Sequence, residues 1–189
     1  MDRDGTFAEC FNLDGQKDAE PVRRILPTLT GMTKAWRRKA YLILCQSLYT
    51  YDQWKVKGLE NLCTEENRWG REPRIDERLF HSIVTKSHNS ITSMPASEWE
   101  ELVRHTREHL ILTGVTTTSC IKKTVEALRL GFWKVIIPRN AVASRASQKE
   151  EADLLLDSWS GDSASHVIVV PSWRDITFLP PPGGASLYS

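Results

Sequence analysis

The apolar positions of this chain change period along its length, and the changes mark out its elements. Leu29, Met32, Thr33 and Trp36 recur at i, i+3, i+4 and i+7 and predict a helix over about 27–38. Pro27 then falls in the first turn, where a missing N–H costs little. The run Ala40 to Cys45 is continuously apolar and predicts a buried strand, and Arg78 to Thr85 predicts a second. Ser97, with Glu100 three residues on, reads as a capping box opening a helix with Trp99, Leu102 and Val103 on its apolar face. His109 to Thr113 is a third strand, followed by a tight, Thr-rich turn from Gly114 to Ser119. Ile121, Thr124, Val125 and Leu128 line one face of the next helix, which Gly131 ends. Trp133 to Ile137 is a fourth strand, Ala152, Leu155, Leu156 and Trp159 mark a further helix, and Val167 to Val170 is a fifth strand.

Strands and helices alternate through the second half, and the strands are short and apolar throughout. This pattern predicts an α/β domain whose mainly parallel sheet is covered on both faces. Residues 1–20 are polar and read as an irregular segment. Residues 49–76 read as a long loop region. The chain from Pro171 leads into Pro180-Pro-Pro-Gly-Gly and is expected to be poorly ordered. The expected organisation is one domain over 21–175, preceded by the segment 1–20 and followed by a flexible tail over 176–189. There is no internal repeat.

Composition narrows the function classes. Net charge is +1, which offers no field for nucleic acid or a membrane surface. No apolar run reaches the about 20 residues of a membrane span, and Met1-Asp-Arg-Asp-Gly carries no export signal. Cys10, Cys45, Cys63 and Cys120 form no metal-ligand cluster and are expected to be reduced thiols in a cytoplasmic setting. The five histidines are dispersed, so no metal and no other cofactor is expected.

The chemistry concentrates at Cys120. It follows the carboxyl end of a strand and opens a helix, the edge at which open α/β sheets bind ligands. A helix N-terminus offers free N–H groups and a partial positive charge. Both favour a thiolate, and the same amides suit the oxyanion formed when a carbonyl is attacked. Taken alone, Cys120 also reads as a small buried hydrophobe, and Lys86 as a solvated strand-end lysine.

The segment Leu112-Thr-Gly-Val-Thr-Thr-Thr-Ser-Cys120 resembles the nucleophile motif of the isochorismatase-like cysteine hydrolases, roughly L-T-G-V-x-T-x-x-C. Lys86-Ser-His-Asn-Ser90 is similar to that family's K-x-x-x-S/A pattern, and Ala141-Val-Ala-Ser-Arg145 to its D-A-C-A-S segment, with Asn140 where Asp is usual. A weaker, gapped likeness links Cys63 to Gly70 with a C-x-E-G-x-W-G segment of amide- and ureide-cleaving members. The resemblance covers about residues 20–175. It implies a Rossmann-like three-layer α/β/α fold, Cys120 as nucleophile and Lys86 beside it. It also implies a cis bond between Val115 and Thr116, with the amides of Thr116 and Cys120 as oxyanion hole. Tyr49, Trp54, Trp69 and His88 would shape the substrate pocket.

The family also carries a catalytic Asp at the end of its first strand, central in a sheet of order 3-2-1-4-5-6. Here Met1-Asp-Arg-Asp4 is similar to the residues just after that Asp, so the first strand is expected to be missing. Its loss would leave two sheet halves with unpaired edges. Three explanations stay open: a start codon placed too late, a diverged member that uses Asp2 or Asp4 as surrogate acid/base or fills the gap with residues 5–13, or a degenerate product. The resemblance implies hydrolysis of a small amide, ureide or carbamoyl compound through a Cys120 thioester, with a small molecule as partner and homo-oligomers as the assembly. The alternative is a catalytically silent binding or assembly module.

Overall fold

The computed structural model describes residues 20–47, 75–105, 109–128, 133–161 and 166–179. Helix α1 (Glu20–Trp36) leads into strand β1 (Ile43–Ser47), and strand β2 (Ser82–Lys86) precedes helix α2 (Ala96–His105). Strands β3 (His109–Ile111) and β4 (Gly114–Val115) lead to helix α3 (Lys122–Leu128). Strands β5 (Lys134–Pro138) and β6 (Val142–Ala143), helix α4 (Lys149–Gly161) and strand β7 (Val167–Val170) complete the order.

All pairings are parallel. β1 pairs with β2, β5 lies between β3 and β7, and β4 pairs with β6. Among the described residues these pairings form three separate strand sets. The outer edge of β2 is closed by α2, where the Glu98 carboxylate accepts the Thr85 amide at 3.1 Å. A covered amide on an edge strand is one fewer template for stray pairing.

Apolar side chains divide into clusters that place helices on both faces. Ile121 just before α3, Val125 and Leu128 of α3, and Leu156 and Trp159 of α4 pack on Val135, Ile137 and Val167. On the opposite face α1 brings Ile25, Leu29, Met32 and Trp36 against Ala141, Ile111 and Val115. A third cluster joins Val84 to Ile91, Met94 and Leu102 of the α2 region. The result is a three-layer α/β fold, as the alternation predicted.

Several boundaries differ from the sequence reading. α1 begins at Glu20, and Pro27 lies inside it rather than in its first turn. An interior proline costs about 3 kcal/mol. Burying Val22 and Ile25 one turn earlier returns roughly 1.5–3 kcal/mol each, which is enough to carry the helix through. β1 starts at Ile43, because the Trp36 carbonyl takes the amides of Lys39 and Ala40 and uses those residues to close α1. Glu77–Leu79 wind into a 3-10 turn capped by Asp76, so β2 starts only at Ser82. α2 begins at Ala96, with Trp99 donating to the Pro95 carbonyl at 3.0 Å, so Ser97 sits within the first turn and does not cap it.

The C-terminal segment is packed as far as it is described. Ser172 and Asp175 form a capping box around the turn Trp173–Asp175. Trp173 and Phe178 then meet the Trp36 ring edge-on, with centroids 5.8 and 5.3 Å away. Aromatic pairs of this geometry are worth about 0.5–1.5 kcal/mol beyond their buried area, which explains why a stretch expected to be loose is docked on α1. Residues 1–19, the 48–74 region, Gly131 and the tail from Pro180 lie outside the described residues.

Candidate active site

The site is built where β3 gives way to α3, and the chain reaches it through one strained residue. Gly114 has φ +103°, a region that only glycine enters cheaply. The turn expected from Gly114 therefore starts two residues late. Gly114 and Val115 first pair as β4 with Val142 and Ala143. The Val115–Thr116 peptide bond is cis, as the resemblance implied. Thr117–Ile121 then form a π-turn in which Ile121 N–H donates to the Thr116 carbonyl at 3.0 Å. Single π-turns are frequent at functional sites. Cys120 lies in it, half-buried.

β2 delivers the cation. In the β1–β2 register Lys86 is opposite Ser47, and its side chain is only 6% exposed. The ammonium donates to the His88 carbonyl at 2.8 Å and stands 3.5 Å from Cys120 Sγ. A buried ammonium needs anionic or carbonyl partners, and these two supply them. Lys86 and Cys120, brought together here from separate β-strand sets, are the pair expected from sequence. Among the described residues neither is bonded to a carboxylate.

His88 enters the site through its main chain. Its imidazole is exposed and bonded to Ser87 Oγ at 3.0 Å, while its amide donates to Ser93 Oγ at 3.1 Å. That loop geometry fixes the carbonyl that holds Lys86. Asp2, Asp4, Tyr49, Trp54 and Trp69 lie outside the described residues. The described residues contain no group of three or more His, Cys, Asp or Glu suited to a metal.

Sequence reading missed two neighbours of this pair. The first is Cys45, opposite Val84 on the sheet face that Val84 and Lys86 share. Burial pushes its thiol up to about 11; the nearby Lys86 ammonium opposes this, and Cys120 and Glu98 add to it. The alternation along β1 and β2 could have placed it, but only once the register was known. Because its folded value lies above 9.0, the neutral thiol favours the fold below pH 9, and this contribution is lost as pH rises from 9 toward about 11. At pH 9, alkylation of Cys45 in the folded protein should be at least about tenfold slower than in urea; equal rates would show that the thiol is not held neutral.

The second neighbour is a buried hydroxyl, Ser144, 3% exposed, which accepts the Thr118 amide at 3.1 Å. In the sequence it shows only as part of a segment resemblance, because its contact depends on the β4–β6 pairing.

Comparisons with known proteins bear on the fold that carries this site. The chain is similar to nicotinamidase/pyrazinamidase from Bacillus subtilis, at 17% identity and TM-score 0.64, over 78% of this chain and 86% of that one. It is similar to pyrazinamidase/nicotinamidase from Streptococcus mutans UA159, at 15% identity and TM-score 0.68, over 87% and 96%. N-carbamoylsarcosine amidase from Thermoplasma acidophilum is similar at 11% identity and TM-score 0.62, over 83% and 87%. At these identities the likeness speaks for the fold. No curated protein sequence matches. The sequence pattern of the isochorismatase domain matches residues 8–161, most of the chain, and the chain therefore belongs to the isochorismatase family.

Proposed function

We propose that this chain is a cysteine hydrolase cleaving a small amide, ureide or carbamoyl C–N bond through a thioester at Cys120. The observation that carries the reading is the Lys86 ammonium, buried and 3.5 Å from Cys120 Sγ at a strand-to-helix turn. A cation at that distance favours the thiolate, the nucleophilic form. The thiolate adds to the carbonyl carbon, and the amides of Thr116 and Cys120 receive the oxyanion. The C–N bond breaks, the nitrogen leaves protonated, and water then splits the thioester to release the acid and restore the thiol. Asp2 and Asp4 are the candidate acid/base groups for the two proton transfers. The similar structures named for amide and carbamoyl substrates support that substrate class.

A second reading is a catalytically silent member acting as a binding module. It is favoured by the lack, among the described residues, of a carboxylate bonded to Lys86 or Cys120. Thiol labelling separates the two. At pH 6.5 iodoacetamide should modify Cys120 at least about tenfold faster than Cys10, Cys45 or Cys63 in the folded protein. If Cys120 alkylates no faster than Cys10, the hydrolase reading fails.

The described residues include no helix long and apolar enough to cross a membrane. A homo-oligomer, which rests on the family resemblance, and a cytoplasmic setting, which rests on the scattered cysteines, remain part of the proposal.

A further inference from the structure

The nucleophile turn is braced from outside by a hydroxyl relay that the reaction itself does not use. The last pair of the β4–β6 ladder sets Val115 opposite Ala143. The next residue on one strand is Thr116, which immediately precedes the π-turn; the next on the other is Ser144. Ser144 Oγ accepts the Thr118 N–H at 3.1 Å and lies 3.1 Å from Thr118 Oγ1. Thr118 Oγ1 in turn donates to Gln148 Oε1 at 3.1 Å. Hydrogen counting orders the relay: Thr118 spends its one hydroxyl hydrogen on Gln148, so Ser144 donates to Thr118 while accepting that residue's amide. Each hydroxyl is used as donor and acceptor, and Thr118 is held at two atoms.

Thr118 is two residues before Cys120, inside the same π-turn. The turn reaches β2 at the Cys120 Sγ–Lys86 Nζ contact, and the gap between these atoms depends on how firmly the turn is held against β6. Charge stabilisation of a thiolate falls off with distance and with admitted water. A turn fixed at Thr118 keeps the sulfur within reach of the ammonium; a loosened turn lets it move away.

From this we propose that Ser144 is a positioning residue for the Cys120 nucleophile, with Gln148 as its second anchor, acting through Thr118 and touching neither substrate nor sulfur. The inference rests on the Cys120–Lys86 reading and adds the group that fixes their separation.

The test is the pH profile of Cys120 alkylation by iodoacetamide in the full chain, followed by mass spectrometry, for the wild type, Ser144→Ala, Gln148→Ala and Lys86→Ala. Ser144→Ala removes the amide acceptor and should slow Cys120 labelling at pH 6.5 by roughly three- to tenfold while moving the rising limb to higher pH. Gln148 is half-buried, and Gln148→Ala should give a smaller shift in the same direction. A role in stability alone would lower the melting temperature and leave the limb in place. If Ser144→Ala does not fold, Gln148→Ala carries the test. An unmoved limb in every folded relay variant, with Lys86→Ala shifting it, overturns the positioning role and leaves the Lys86 reading intact. An unmoved limb in Lys86→Ala instead removes Lys86 from the mechanism and, with it, the Cys120–Lys86 reading on which the positioning role rests.

Discussion

Replacing Lys86 with alanine is expected to erase the selective alkylation of Cys120, slowing its reaction at pH 6.5 by at least about tenfold and moving its rising limb to higher pH. The direction follows from the contact. An ammonium 3.5 Å from sulfur stabilises the charged thiolate and not the neutral thiol, so its removal favours the thiol. The low exposure of Lys86 limits solvent screening, which would otherwise reduce an ion pair of this kind to about 0–1 kcal/mol. Lys86→Ala also orphans the His88 carbonyl. Lys86→Met is the useful companion: it keeps the stem and the packing but, like alanine, lacks the charge and the donor to the His88 carbonyl, and should show the same loss of selectivity. Labelling that stays selective in both variants would remove Lys86 from the mechanism, whatever happened to stability.

The second large effect is on the scaffold. Ile137 is fully buried on β5, the strand flanked on both sides, and belongs to the cluster that seats α3 and α4. Ile137→Ala should cost about 2–5 kcal/mol through lost burial and the cavity left behind. For a chain of this size that corresponds to roughly 5–15 °C in melting temperature. Leu154 is the control. It lies on α4 but is 64% exposed, and Leu154→Ala should stay within about 0.5 kcal/mol. Comparable losses from the two variants, measured by urea or thermal unfolding, would contradict the assignment of β5 as the core strand.

The contrast between these two positions shows what periodicity could reveal. Val135 and Ile137 fell in a continuous apolar run, and the run correctly indicated a covered strand. Leu154 is as apolar as either, but on a helix its exposure depends on which stripe faces the sheet. Pro27 shows the reverse error. Its local meaning is a helix start, and reading it so hid the buried Val22 and Ile25 one turn earlier. Local propensity lost there to burial, a term that does not exist until α1 has a sheet to lie on. The C-terminal segment repeats the lesson, since its proline-rich end suggested a loose tail while Trp173 and Phe178 found the Trp36 ring.

The site divides in the same way. The amino-acid order alone determined that an α/β domain of alternating short strands and helices would form. It also put a cysteine, a glycine able to take a positive φ and a run of threonines at one strand-to-helix junction, because these depend on neighbours within a few residues. Only the tertiary structure decided that the Lys86 ammonium reaches Cys120, that Cys45 shares its sheet face, and that Ser144 braces the turn. Those contacts join strands whose parallel pairing and register are set by packing between distant segments, and no local pattern encodes a register.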